Sequence, residues 1–225
     1  MKPTTDDMLG AAEEFVGQLQ RDLLPRVGAE DVSETAKIPF NVVMCREVLA
    51  RRFLELARVA LDALGKEQFA ATAVVTRSVV ETGAALWYLG QAVEGAVRGG
   101  TSAELKERVF RLLHGSRTTP EAPSAINVLT FIDAADKQVE GVRHSYDRLS
   151  EMAHPNWAGT LYLFGRPNRE ARACVFGPSA DVNELSFRTG AVLGGTCYLV
   201  GSGMKTISEH MPALVAMCER ELGAA

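Results

Sequence analysis

The sequence has few cysteines, and they are not spaced to bind a structural metal ion. The chain has 225 residues, of which four are cysteines: Cys45, Cys174, Cys197 and Cys218. They lie far apart, with no CxxC pair and no short Cys/His spacing of the kind that a structural zinc site needs. We therefore expect reduced and mostly buried thiols.

An excess of positive charge is also missing. The chain has 24 Lys and Arg against 28 Asp and Glu, a formal net charge of −4. It therefore has no overall basic field of the kind that indicates nucleic-acid binding, and any RNA contact would come from a local patch. The first residues, MKPTTDDMLGAAEEF, are acidic where a signal peptide needs a basic start and an apolar core, so a cytoplasmic location is expected.

Uncharged apolar runs long enough for a membrane helix are lacking as well. The segment 69–93 has a suitable length, but Arg77 and Glu81 lie near its middle, where charges are costly in lipid. The run between Arg188 and Lys205 has 16 uncharged residues, which is slightly short for a span. We expect no contact with a membrane.

Apolar residues instead recur with the 3.6-residue period of packed helices. This period predicts helices over residues 5–24, 40–64, 69–93, 103–114, 124–139 and 142–153, and a last helix from about residue 181. Residues 160–166 and 171–177, separated by PNRE, look like two short strands of a hairpin. The prediction is one mainly α domain: a bundle of about six to seven helices with a small β-hairpin insertion near residues 160–177. Its N-terminal helix 5–24 is expected to pack on the bundle core 40–220.

Two further expectations concern packing. The arginines of the second helix, Arg46, Arg51, Arg52 and Arg58, look like a solvent-exposed face above an apolar stripe. In the last helix the glycines at 190, 194 and 195 would let another helix approach closely, within the bundle or across a dimer.

Arg77 and Glu81 are the only charged residues in the most apolar helix. They are four positions apart and face the same way, and the same stripe reaches Tyr88. A charge buried in such a helix needs a partner. The pair either fixes the helix register as an internal ion pair, or lines a polar pocket and orients a side chain from a neighbouring helix.

The stretch YDRLSEMAHP, residues 146–155, places an arginine and a histidine near the end of a helix. Histidine transfers protons near neutral pH and arginine binds phosphate with paired donors, so Arg148 and His154 suit metal-free phosphodiester chemistry. Asp147 and Glu151 share a face with His154 and are, with Tyr88, candidate residues of a pocket. Arg148 lies about 120° away from His154 on an ideal helix. Arg108 and His114 repeat the spacing elsewhere, and a histidine at a helix C-terminus is favoured by the helix dipole alone.

Other motifs point to no cofactor or metal. Glu151 and His154 make one ExxH, but a di-iron bundle needs a second ExxH, and none occurs. GSGMKT at 201–206 lacks the glycine that precedes the lysine of a phosphate-binding loop. The hairpin turn carries Arg166, Arg169 and Arg172, either as an ordinary solvent-exposed turn or as a local phosphate-contacting patch.

The chain resembles the HEPN superfamily over about residues 40–177. The resemblance rests on a helical bundle with a late R-x5-H motif, and on TRSVVETGAALWYL followed by YDRLSEMAHP, which is similar to a poorly characterised bacterial branch. It implies a usually dimeric helical bundle. Active members are metal-independent ribonucleases of toxin–antitoxin and antiphage systems, so a homodimer, an RNA substrate and an antitoxin or other partner protein are expected from it.

The resemblance also implies roles for individual residues. Arg148 would stabilise a phosphate, and His154 would act as general acid and base while a ribose 2′-hydroxyl attacks it. Where active members commonly have a polar residue after the arginine, this chain has Leu149. The alternative is a non-catalytic HEPN-like module that binds a small ligand or partner protein through a polar pocket around Arg77, Glu81 and His154.

Overall fold

The segments with helical apolar spacing form helices in the computed structural model, which describes residues 4–177 and 181–223. The helices are α1 (Thr5–Asp22), α2 (Lys37–Gly65), α3 (Phe69–Val97), α4 (Ser102–His114), α5 (Val128–Asp136), α6 (Val142–Ala153), α7 (Leu161–Phe164) and α8 (Val182–Gly223). Strands β1 (Gly165–Asn168) and β2 (Ala173–Phe176) pair antiparallel, with Gly165 opposite Phe176. The predicted mainly α bundle with a small hairpin is confirmed.

Several boundaries differ from the predicted ones, among them the end of α3, which lies at Val97. α2 begins at Lys37, which places Pro39 in the first turn, where its missing N–H is not needed. α5 begins only at Val128, because the Asn127 side chain caps it by accepting from the Leu129 N–H. Residues 161–164, predicted as strand, form the helical turn α7, whose backbone bonds lead back to residues 157 and 160 and which buries Leu163. The described residues thus hold eight helices, more than predicted.

The arginines of α2 do not all lie on a solvent-exposed face, contrary to expectation. Glu47 is buried, and its carboxylate accepts hydrogen bonds from Arg46 at 2.7 Å, Arg51 at 2.8 Å and the Leu24 N–H at 3.0 Å. Arg51 also donates to the Leu24 carbonyl. These bonds compensate the cost of burying the carboxylate and fix the connector after α1 against α2.

α3 and α8 form the most extensive helix pair and bury the centre of the core. Their backbones approach closely at two glycines: a Cβ on Gly203 would lie 2.8 Å from the Leu86 carbonyl oxygen and the Trp87 Cα. A Cβ on Gly90 would lie 3.0 Å from the Gly203 carbonyl oxygen. At Gly194, by contrast, a Cβ meets no atom within 4 Å, so no other described helix of this chain approaches there. A close approach across a dimer stays a prediction.

The other two glycines of that expectation are also not sites of close backbone approach within the described chain. A Cβ on Gly195 meets no atom within 4 Å, and one on Gly190 makes only ordinary contact with α1 side chains. The four cysteines are unpaired, and three are buried; burial raises the pKa of Cys45 and of Cys197 to about 12. Within residues 4–177 and 181–223, none of the helices combines the length and apolar character that a membrane span requires.

Gly203→Ala is expected to lower the free energy of unfolding by about 1–3 kcal/mol, because the new methyl group forces α3 and α8 apart. Gly194→Ala on the same helix is the matched control. It should raise the free energy of unfolding by up to about 1 kcal/mol, since alanine favours helix and the space is open. Urea denaturation of both variants measures the difference, and equal stabilities would contradict the close crossing.

Candidate functional site

The start of α6 is set by the turn that precedes it. Gly141 has a φ of 91°, a left-handed conformation that glycine adopts at little cost. The Asp136 carboxylate accepts from the N–H groups of Gly141 and Arg143, both at 3.0 Å. This turn directs α6 along α3 and fixes which of its side chains face α8.

The end of α6 lies at the predicted catalytic histidine. His154 is the C-cap residue with extended backbone (φ −90°, ψ 149°), as expected before Pro155, and its side chain is exposed. Arg148 is exposed as well, two turns earlier on the helix. His154 does not contribute to the cavity that Arg148 lines between α6 and α8.

Glu151 has a structural contact in the turn that follows α6. Its carboxylate accepts from the Asn156 side-chain amide at 2.7 Å, and the Asn156 side-chain oxygen accepts from the Gly159 N–H at 3.1 Å. Gly159 is buried. A Cβ at this residue would lie 2.6 Å from the Met152 carbonyl oxygen and would overlap the His154 carbonyl oxygen. The backbone therefore reverses tightly around His154, and only glycine fits at residue 159.

A cavity of about 350 Å³ lies between α6 and α8, with Val80 of α3 contributing to its wall. Its walls are mainly apolar and include the following side chains: Val139, Val142, Leu149, Met152, Leu185, Phe187 and Val192. Three basic side chains also line it: His144 and Arg148 from α6, one turn apart, and Arg188 from α8. Apolar walls with a few convergent polar groups are typical of small-molecule sites.

The basic side chains of this cavity differ in their partners. Arg188 forms an ion pair with Glu184 on its own helix, and both side chains are about half exposed. Arg148 has no hydrogen bond or salt bridge to any residue within 4–177 and 181–223. An arginine without a partner beside an apolar cavity retains its donors for a bound oxyanion.

Tyr162, just before the hairpin, lies close to both arginines. Burial, together with the charge and hydrogen bond of Asp181, raises the pKa of Tyr162, while the positive charges of Arg148 and Arg188 act in the opposite direction. Both guanidinium groups therefore lie within Coulombic range of one hydroxyl group.

The Arg77–Glu81 ion pair forms on α3, with Arg77 Nε 3.3 Å from Glu81 Oε1. The pair was expected to be buried, but both side chains are only partly buried, at the edge where α6 crosses α3. The Tyr146 hydroxyl of α6 donates to Glu81 at 3.1 Å. Burial first, and then the negative charge of Glu81, raises the pKa of Tyr146. The pair thus fastens α6 to α3 outside the cavity.

Other side chains predicted to line a pocket lie elsewhere. Tyr88 packs against Phe131 of α5, with ring centroids 5.1 Å apart. Asp147 accepts from Arg143 at 3.0 Å on the far side of α6, and Arg143 also pairs with Asp133. Neither residue reaches the cavity.

The hairpin arginines are exposed. Arg166 lies on β1 opposite Val175, and Arg169 and Arg172 lie in the turn, whose Arg172 N–H bonds to the Arg169 carbonyl. Their exposure suits an ordinary solvent-exposed turn, and a role as phosphate contacts stays a prediction. Among residues 4–177 and 181–223, no three His, Cys, Asp or Glu side chains are grouped so that they could hold a metal ion.

Sequence reasoning missed His144 and Arg188. The signal for His144 was present, since it lies four positions before Arg148 and shares its helix face. Arg188 gave no such signal, because it comes from a helix 40 residues later, and only the packing of α6 beside α8 brings the two arginines to one cavity.

Tyr146→Phe is expected to lower the free energy of unfolding by about 1–2 kcal/mol at neutral pH, because the hydrogen bond to Glu81 is lost. Since the pKa of Tyr146 is raised above 10.0, the folded state retains the proton longer than the unfolded state, so wild-type stability falls as pH rises above that value. The variant should show a shallower alkaline fall. Denaturant titrations from neutral to alkaline pH measure both effects.

Tyr198→Phe provides the control for that measurement, because Tyr198 is exposed on α8. It should leave both the stability and the alkaline slope unchanged. Equal behaviour of the two variants would show that the Tyr146–Glu81 bond does not contribute.

Comparison with known proteins adds no relative. The chain matches no protein-family model, no curated protein and no solved structure. The resemblance to HEPN proteins thus rests on the sequence stretches quoted above, and the fold class rests on the helices and hairpin of the structure.

Proposed function

We propose that this chain is a HEPN-like helical module that binds a small ligand in the cavity between α6 and α8. The observation that carries this proposal is the cavity itself, whose volume of about 350 Å³ falls at the lower end of the range of ~300–1,000 Å³ typical of small-molecule sites. Its apolar walls provide the binding energy, and its basic side chains provide orientation.

The proposed site differs from the pocket predicted from the sequence. Arg77, Glu81 and His154 do not line the cavity, whereas Arg148 does. The Arg77–Glu81 pair supports the site indirectly, since Glu81 accepts the hydrogen bond from Tyr146 that holds α6 in position. Binding at this place needs no catalytic histidine.

Gly195→Leu is expected to abolish ligand binding, because Gly195 lines the cavity and a side chain there enters open space without striking the backbone. The probe is N-phenyl-1-naphthylamine, an uncharged apolar fluorophore whose emission rises when it leaves water. Wild-type protein should enhance its fluorescence saturably, and Gly195→Leu should reduce that enhancement at least tenfold.

Gly194→Leu is the matched control, since Gly194 is equally open but does not line this cavity. It should bind the probe as the wild type does. No enhancement by folded wild-type protein, or equal binding by both variants, would overturn the proposal.

The second candidate function is a metal-independent ribonuclease. The exposure of His154 and of Arg148 favours it, because both side chains are accessible to an RNA strand. In this function Arg148 binds the phosphate and His154 transfers the protons. The proposed RNA substrate, homodimer and antitoxin partner belong to this function, as does a cytoplasmic location.

Wild-type protein is expected to cleave single-stranded RNA in the presence of EDTA and to leave 2′,3′-cyclic phosphate ends. His154→Ala should abolish this cleavage. His114→Ala is the matched control, because His114 repeats the spacing from an arginine and also ends a helix. Intact RNA after incubation with wild-type protein, or equal activity of the two variants, would exclude this function.

A further inference from the structure

We propose that the cavity takes an amphipathic molecule with one anionic head group, whose apolar part fills the space between α6 and α8 while Arg148 and Arg188 bind the head. This inference rests on the proposed ligand-binding function and specifies its ligand class. The head-group chemistry is that of an oxyanion such as a carboxylate or a phosphate.

The cavity wall determines the apolar part of the ligand. Val142, Leu149 and Met152 recur on one stripe of α6, and Leu185 and Val192 face them from α8. Water in such a space has few hydrogen-bond partners, so an alkyl or aryl group that displaces it gains free energy in proportion to the apolar area buried.

The two arginines determine the head group, because Arg148 reaches the cavity from α6 and Arg188 reaches it from α8. Arg148 has no hydrogen bond or salt bridge within the part of the chain that the structure describes, and Arg188 is engaged only by the half-exposed Glu184. A guanidinium group presents paired donors that match a carboxylate or phosphate. Two of them at one cavity favour an anion over a neutral polar group.

The positive charges of the two guanidinium groups also act at the same cavity. Both line the same cavity and lie within Coulombic range of the Tyr162 hydroxyl. His144, one turn before Arg148, adds a third nitrogen donor to the same lining.

The negative charges near the cavity do not remove this preference. Glu140 lines the cavity from the turn before α6, about two helical turns along the chain from Arg148. The charge of Asp181 acts on the Tyr162 hydroxyl, whose pKa it raises, and Glu184 is paired with Arg188. A head group at Arg148 therefore meets the least compensated positive charge of the cavity.

The test uses displacement of N-phenyl-1-naphthylamine from the full chain by three probes of the same alkyl length: octanoate, octyl phosphate and 1-octanol. Arg148→Gln and Arg188→Gln should each weaken octanoate and octyl phosphate about tenfold, the loss of one charged hydrogen-bonded contact. Displacement by 1-octanol should be unchanged in both variants.

Arg220→Gln is the matched control, because Arg220 is exposed near the other end of α8 and its removal changes the net charge equally. It should leave all three probes unchanged. Arg148→Lys, which retains the charge, should recover part of the affinity for the anions, and thermal melts confirm that each variant is folded.

The outcomes separate the two proposals. If neither the fluorophore nor any probe binds folded wild-type protein, the proposed binding function fails. If the fluorophore and 1-octanol bind but both glutamine variants leave the anions unaffected, the binding function stands and the anionic head group is wrong.

Discussion

The close crossing of α3 and α8 is the constraint on which the rest of the bundle depends. Because Gly203 and Gly90 have no side chains, α3 and α8 meet backbone to backbone. α6 is fastened to α3 through the Tyr146–Glu81 hydrogen bond and touches α8 only slightly. The cavity is the gap between α6 and α8. It exists because α6 packs against α3 and leaves part of α8 uncovered.

Periodicity predicted the helices well, because it reflects burial that acts along a single element. It failed where the outcome depends on a second element. Glu47 accepts hydrogen bonds from Arg46, from Arg51 and from the connector after α1. The spacing of residues within α2 does not reveal these contacts. The glycines behaved similarly: Gly190, Gly194 and Gly195 predicted a close helix approach, but within the bundle that approach lies at Gly203, opposite Leu86 and Trp87.

The candidate site could likewise be predicted only where it depends on a single helix. Arg148 was predicted from its motif and lines the cavity, but the companion assigned to it was His154, six positions onward and on another side of the helix. A sequence motif relates only residues that are close along the chain. The cavity instead joins Arg148 with His144 on its own face and with Arg188 from α8, which no local pattern could connect to it.

The turn around His154 bears on how such chains are recognised. The Glu151–Asn156–Gly159 contacts hold the backbone in a reversal that leaves no space for a side chain at residue 159. Selection for a stable reversal would by itself preserve a glutamate, an asparagine and a glycine around the histidine. A search profile trained on this stretch would therefore collect proteins that share a chain reversal, whether or not they share a chemical reaction.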